Sequence, residues 1–193
     1  MHRAEVLSMC GELGEAEREI SESCELFSRA APWAEGDAYR VMGDLHLLRG
    51  ELDKAESAYR SAHELGWDPQ PGYARLLLAL GREEAAYRSL ERSLEARDWS
   101  SAQRRGLYLA HLAMIASIAG DCERARQALD KLESIPGLCA TSAMMATAAQ
   151  ARGELALCRG ERELAVSALR QSASLWRDVG APLHVALVRL RLA

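Results

Sequence analysis

The chain has 193 residues, about half of them apolar, and the apolar set is skewed to 34 Ala and 29 Leu against 6 Val, 4 Ile and one Phe. The residues that fill pleated sheets are nearly absent and straight-chain helix formers dominate, which excludes a β-rich fold and predicts an all-α protein. The net charge of −4 comes from 24 basic and 28 acidic residues mixed along the chain, with no basic tail or stripe of the kind that nucleic acid or anionic lipid requires.

In chain order, five glycines are each followed five residues later by an alanine: Gly11/Ala16, Gly50/Ala55, Gly81/Ala86, Gly120/Ala125 and Gly160/Ala165. Helix-forming sequence flanks every pair, and the alanines are 39, 31, 39 and 40 residues apart. That spacing predicts an array of helix–turn–helix units rather than one globular core. The units fall near 1–30, 36–69, 70–98, 106–139 and 142–179, with a partial one at 181–193. The first begins at Met1 with its leading helix expected to be clipped. The stretches Ala30–Gly36, Arg97–Arg105 and Pro136–Thr141 are expected to be connecting loops. The last segment, APLHVALVRLRLA, reads as a helix with Pro182 in its first turn and Leu183, Leu187 and Leu190 on one face. It carries no polar capping face, so the array is expected to be incomplete there, as a segment of a longer polypeptide, or covered by something else.

The block DAYRVMGDLHLLRGELDKAESAYRSAHELGWDP (37–69) resembles the tetratricopeptide repeat, a 34-residue helical hairpin with small residues at its eighth, twentieth and twenty-seventh positions. Anchored on the five alanines, the eighth position is Ala4, Gly43, Ala74, Ala113 and Gly153, small in every unit. The twenty-seventh is Ser23, Ala62, Ser93, Leu132 and Ser172, and Leu132 departs from the pattern. Small side chains at these points let paired helices approach to the short end of the usual ~8–10 Å. The resemblance implies an α-solenoid, a superhelix of antiparallel helix pairs. Arg49–Arg82 and Ala168–Ala193 are further similar to the helical-repeat regions of large bacterial regulators of the LuxR type. Those proteins carry a separate DNA-binding helix-turn-helix domain, of which this chain has none. The likeness implies a sensor or assembly segment of a regulator; separately, the cysteine pattern and the lack of a signal-type N-terminus predict a cytoplasmic protein, and the lack of catalytic motifs a non-enzymatic one.

The first helix of each such repeat lines an inner face. Carried over by position, this brings inward Asp37, Arg40, Asp44, Arg75, His111, Met114, Gln150 and Glu154 as a groove for a protein or peptide segment, including a neighbouring domain of the same polypeptide. Two alternatives are a small inducer lodged between repeats and a homodimer formed through Leu183, Leu187 and Leu190. No direct contact with nucleic acid or membrane is expected. His2, His46, His63, His111 and His184 form no metal-spaced set, and no nucleophile elbow or phosphate loop occurs, so neither metal nor cofactor nor catalytic residue is expected. Cys10, Cys24, Cys122, Cys139 and Cys158 are odd in number and widely spaced, which predicts reduced thiols, buried at Cys122, Cys139 and Cys158. Trp33, Trp67, Trp99 and Trp176 are expected to cap the junctions between units, with Trp99 as an exposed anchor.

Overall fold

The computed structural model describes residues 1–96, 101–135 and 141–192, and these are all-helical, with no strand among them. The chain divides into two compact units, Met1–Leu80 and Gly81–Ala193, each taken by itself below. The first holds α1 (His2–Cys10), α2 (Leu13–Ala30), α3 (Pro32–Leu48), α4 (Leu52–Glu64) and α5 (Gly72–Ala79). The second holds α6 (Glu83–Glu95), α7 (Ala102–Ile118), α8 (Cys122–Glu133), α9 (Ser142–Cys158), α10 (Arg162–Val179) and α11 (Pro182–Leu190).

Four of the glycine–alanine pairs, those at Gly11, Gly50, Gly120 and Gly160, sit at the turns of packed helical hairpins. Gly50 adopts φ 74°, a left-handed conformation open to glycine at little cost. There Gly50 N–H donates to the Leu47 carbonyl and Glu51 N–H to the His46 carbonyl, which closes α3 and reverses the chain into α4. The same two bonds recur at Gly11, Gly120 and Gly160, and Gly81 also has positive φ. Five residues past each glycine the alanine is wholly buried: Ala16, Ala55, Ala86, Ala125 and Ala165 are each 0% exposed. Within the first unit α1 packs on α2, α2 on α3, α3 on α4, and α5 on both α3 and α4. Within the second, α7 pairs with α8 and α9 with α10, α7 packs against α9, and α11 lies on α10.

Small residues at the crossings decide how close these helices come. A Cβ on Gly43 of α3 would lie 2.5 Å from the ring of Tyr59 of α4, and one on Gly72 of α5 would collide with the same ring and with Asp44. Tyr59, 1% exposed, therefore occupies a slot made by two glycines from two neighbouring helices. In the second unit a Cβ on Gly153 would lie 2.7 Å from Leu169, and the wholly buried Ser172 donates a 2.8 Å hydrogen bond to the Ala146 carbonyl across the same helix pair. Leu132, the large residue at a position expected to be small, is accommodated in the core at 1% exposure.

Three expectations change. The segment expected as a loop at Ala30–Gly36 is helical from Pro32, because proline suits a first turn and Gly36 then packs directly under the Trp67 ring. The segment expected as a loop at Arg97–Arg105 is likewise helical from Ala102, where the Ser101 side chain caps α7, while residues 97–100 and 136–140 of the expected loops lie outside the described residues. Cys122 and Cys158 are not separate buried thiols: the first residue of α8 and the last of α9 lie 5.8 Å apart at Cα and form a disulfide. Cys24 is buried, and burial, aided by Glu35, pushes its thiol up to about 11. Cys139 and Trp99 lie outside the described residues. Of the other tryptophans, Trp33 is exposed, and the half-buried Trp67 donates to its carbonyl. Trp176 is buried and stacks on His184 of α11 at 4.3 Å between ring centroids.

Two measurements test this packing. Gly43→Leu should lower the unfolding free energy by about 3 kcal/mol through overpacking against Tyr59, whereas Gly50→Ala should cost only about 1 kcal/mol for its left-handed backbone. Comparable losses in urea denaturation would place the crossing elsewhere. Breaking the 36-residue disulfide loop by Cys122→Ser/Cys158→Ser should lower stability by at most about 4 kcal/mol on loop-closure grounds. An unchanged denaturation midpoint under oxidising conditions would show that the bond does not form.

Candidate functional site

The eight inner-face positions fall in two groups, one in each unit. In the first unit, Asp37, Arg40 and Asp44 are spaced to share one face of α3. Arg40 Nε donates to Asp37 Oδ1 at 2.6 Å and Nη1 to Asp44 Oδ2 at 3.0 Å. Its third donor, Nη2, reaches Glu5 Oε1 of α1 at 2.8 Å. The His2 ring nitrogen Nδ1 lies 2.9 Å from the other Glu5 oxygen, and Tyr59 O–H donates to Asp44 Oδ1 at 2.8 Å. One arginine thus ties together three carboxylates from two helices, and the tyrosine of a third helix closes the network.

The electrostatics follow from that arrangement. Burial opposes the charge on Arg40, yet Asp44, Asp37 and Glu5 hold its guanidinium more firmly protonated than usual. Burial also pushes the Glu5 carboxyl up, but hydrogen bonds from His2 and Arg40 more than offset this and keep it below the ordinary value. For Asp44 the balance is reversed: burial outweighs Arg40, Arg75 and the Tyr59 hydroxyl, so its carboxyl is raised. The Tyr59 hydroxyl is raised well above its usual value by burial and by the neighbouring Asp44. Arg75, half-buried on α5, acts on Asp44 and Tyr59 through its field and forms no ion pair among the described residues. Arg40 is consumed internally, so Arg75 is the cation of this group that remains open to a ligand.

The second group is less open than its sequence positions imply. Met114 is buried, and His111 is half-buried with Nδ1 2.9 Å from the Leu107 carbonyl. Gln150 is half-buried. Glu154 is only 3% exposed, and Arg191 binds it bidentately at 2.7 and 2.8 Å. A carboxylate read as groove-lining is instead the anchor of the chain's final turn. On α11, Leu183 is half-buried while Leu187 and Leu190 are 36% and 71% exposed.

Glu5, Tyr59 and Arg191 belong to these networks and were not among the residues read from the sequence as site candidates. The Tyr59 hydroxyl could have been suspected, since a tyrosine at a position that needs only an apolar side chain must find a polar partner when buried. The Glu154–Arg191 pair spans 37 residues and carries no local signature. Among the described residues no group of three or more His, Cys, Asp or Glu is arranged to hold a metal ion, and no helix is long and apolar enough to cross a membrane. Comparison with protein-family models, curated proteins and solved structures returns no match.

The clamp on Glu154 has a measurable consequence. Arg191→Ala should cost about 2 kcal/mol, because it leaves a buried carboxylate without its partner. Adding Glu154→Leu to that variant should recover most of the loss in thermal denaturation. A double variant no more stable than the single one would show that the carboxylate is satisfied by other means.

Proposed function

We propose that the protein is a non-enzymatic interaction scaffold: an α-solenoid of tetratricopeptide type that receives a protein or peptide segment on the inner faces of its first helices. The observation that carries this reading is the recurrence of one device. Five times a left-handed glycine precedes a wholly buried alanine by five residues, and at four of them the flanking helices pack as a hairpin, which supports a repeat array. Preformed helices lose little conformational freedom on binding, which suits such a surface to peptide capture.

In the first unit the receiving surface centres on Arg75 beside the Asp37–Arg40–Asp44 network. The internal salt bridges hold α1 and α3 in register, and Arg75 supplies the cation for a partner's carboxylate or carbonyl. The sequence likeness to LuxR-type regulators suggests that the scaffold serves as the sensor or assembly segment of such a regulator in the bacterial cytoplasm. There the reduced thiol pool would open the Cys122–Cys158 bond, while α8 and α9 would keep their packing contacts.

Peptides selected from a displayed random library against the whole chain test the proposal. Arg75→Glu should weaken the selected peptides by about tenfold or more, a loss typical of one charged contact at an interface, with the helical circular-dichroism spectrum retained. A library that yields no binder, or binders indifferent to Arg75→Glu, would remove the inner-face reading.

A further inference from the structure

Most arginines on the second helices of the hairpins are answered within one turn. Arg18 pairs with Glu15, Arg60 with Glu56, Arg88 with Glu84, Arg124 with Asp121, and Arg126 with both Glu123 and Asp130. On α10 the pattern stops. Arg162, Arg170 and Arg177 are all exposed and recur at i, i+8 and i+15, which places them along one side of the helix. Their neighbours three and four residues away are Ala165, Val166, Ser167, Ala173, Ser174, Gly180 and Ala181, with Cys158 and Arg159 before Arg162. No carboxylate stands at any of these positions, and none of the three arginines forms an ion pair among the described residues.

The surface beside this row is shallow and open. One shallow, open depression lies along Arg162, Glu163, Val166, Ser167 and Arg170 of α10. A second of about 630 Å³ begins at Arg177 and runs along α11 past Val185 and Ala186 to Arg189 and Leu190. Leu190 is 71% exposed at its rim, and Arg189 likewise has no ion-pair partner among the described residues. Glu161, Glu163 and Asp178 are the acidic residues adjoining the row in sequence, so four guanidiniums stand against three carboxylates, none of them paired with an arginine of the row.

We propose that this edge of α10 and α11 is a docking surface for an acidic amphipathic helix of a partner protein. Its apolar face would rest on Val166, Val185, Ala186 and Leu190, and its carboxylates would meet Arg162, Arg170, Arg177 and Arg189. The occupant is helical because the seat is built from helix surfaces, α10 along its length and α11 at one end, and offers no strand edge, whereas a helix satisfies its own backbone. It is acidic because the cations are arranged in a row and lack internal partners. From Arg162 to Arg177 the row measures about 22 Å at 1.5 Å per residue, a match for about four turns of helix. This surface is separate from the inner faces, and the inference does not depend on the reading given to them.

The probe is a fluorescein-labelled peptide of about 16 residues, the length that spans the row, with leucines on one face and glutamates on the other. A peptide with lysines in place of the glutamates is the control. The whole chain should bind the acidic peptide in fluorescence anisotropy, lose affinity as salt is raised, and bind the lysine peptide at least about tenfold more weakly. Arg162→Gln/Arg170→Gln/Arg177→Gln should weaken the acidic peptide by about tenfold or more with an unchanged circular-dichroism melt. Leu190→Glu, on the rim, should weaken it independently of the arginine row. No binding, equal binding of the two peptides, or indifference to the triple variant overturns the proposal. So does a concentration-dependent doubling of mass in sedimentation that the triple variant abolishes, which would assign the edge to a second copy of the chain.

Discussion

The ring of Tyr59 lies where two side chains are missing. Gly43 on α3 and Gly72 on α5 each leave a space that a single methyl would fill, and the ring takes both. Interiors are packed close to crystal density, so a space of this kind is as specific as the group that fills it. The consequences reach the surface. With its ring fixed, the Tyr59 hydroxyl reaches Asp44, Asp44 meets Arg40, and Arg40 fastens α1 through Glu5. The charge network of the first unit is thus positioned by an absence of atoms in its core. Gly153 against Leu169 plays the matching part between α9 and α10.

This dependence explains what could be read from the sequence. Gly43, Gly153 and the five alanines were recognisable because glycine and alanine at fixed intervals between helix formers have few other uses. The hairpin turns were recognisable because a glycine after a helix marks a left-handed cap. Helix class and the hairpins around four of those pairs were therefore legible, and so was the face that Asp37, Arg40 and Asp44 share. What each of those residues bonds to was not. Arg40 looked available for a ligand because its position points inward, and only the approach of α1 shows that Glu5 claims its last donor. The pairing of Glu154 was hidden for the same reason, since its partner Arg191 lies two helices away. Partnership across helices depends on tertiary distances that no periodicity encodes.

The cysteines illustrate the same limit from another side. Odd number and wide spacing argued for independent thiols, yet Cys122 and Cys158 occupy equivalent ends of two consecutive hairpins: one begins α8 and the other closes α9. Where hairpins stack, the turn regions of adjacent units lie side by side, so residues 36 apart in sequence can face each other. The arginine row of α10 was overlooked in a similar way. Scanned as a linear string the charges are mixed, and the row emerges only when the helix phase and the missing carboxylates are considered together.

Helix α9 connects these observations within the second unit. Most of its residues are buried, and it packs against α7, α8 and α10. Its inward Glu154 fastens the last turn through Arg191, and its final residue is linked to α8. A helix held on so many sides is a rigid base for α10, whose small buried face (Ala165, Leu169, Ser172, Ala173) rests directly on it. Arg162, Arg170 and Arg177 are therefore displayed from a backbone with little freedom to rearrange. Their unmet charge cannot be relieved by moving the helix toward an internal carboxylate, because the packing that positions α10 is stronger than any single exposed ion pair. Relief has to come from water and salt, or from a partner that brings its own carboxylates.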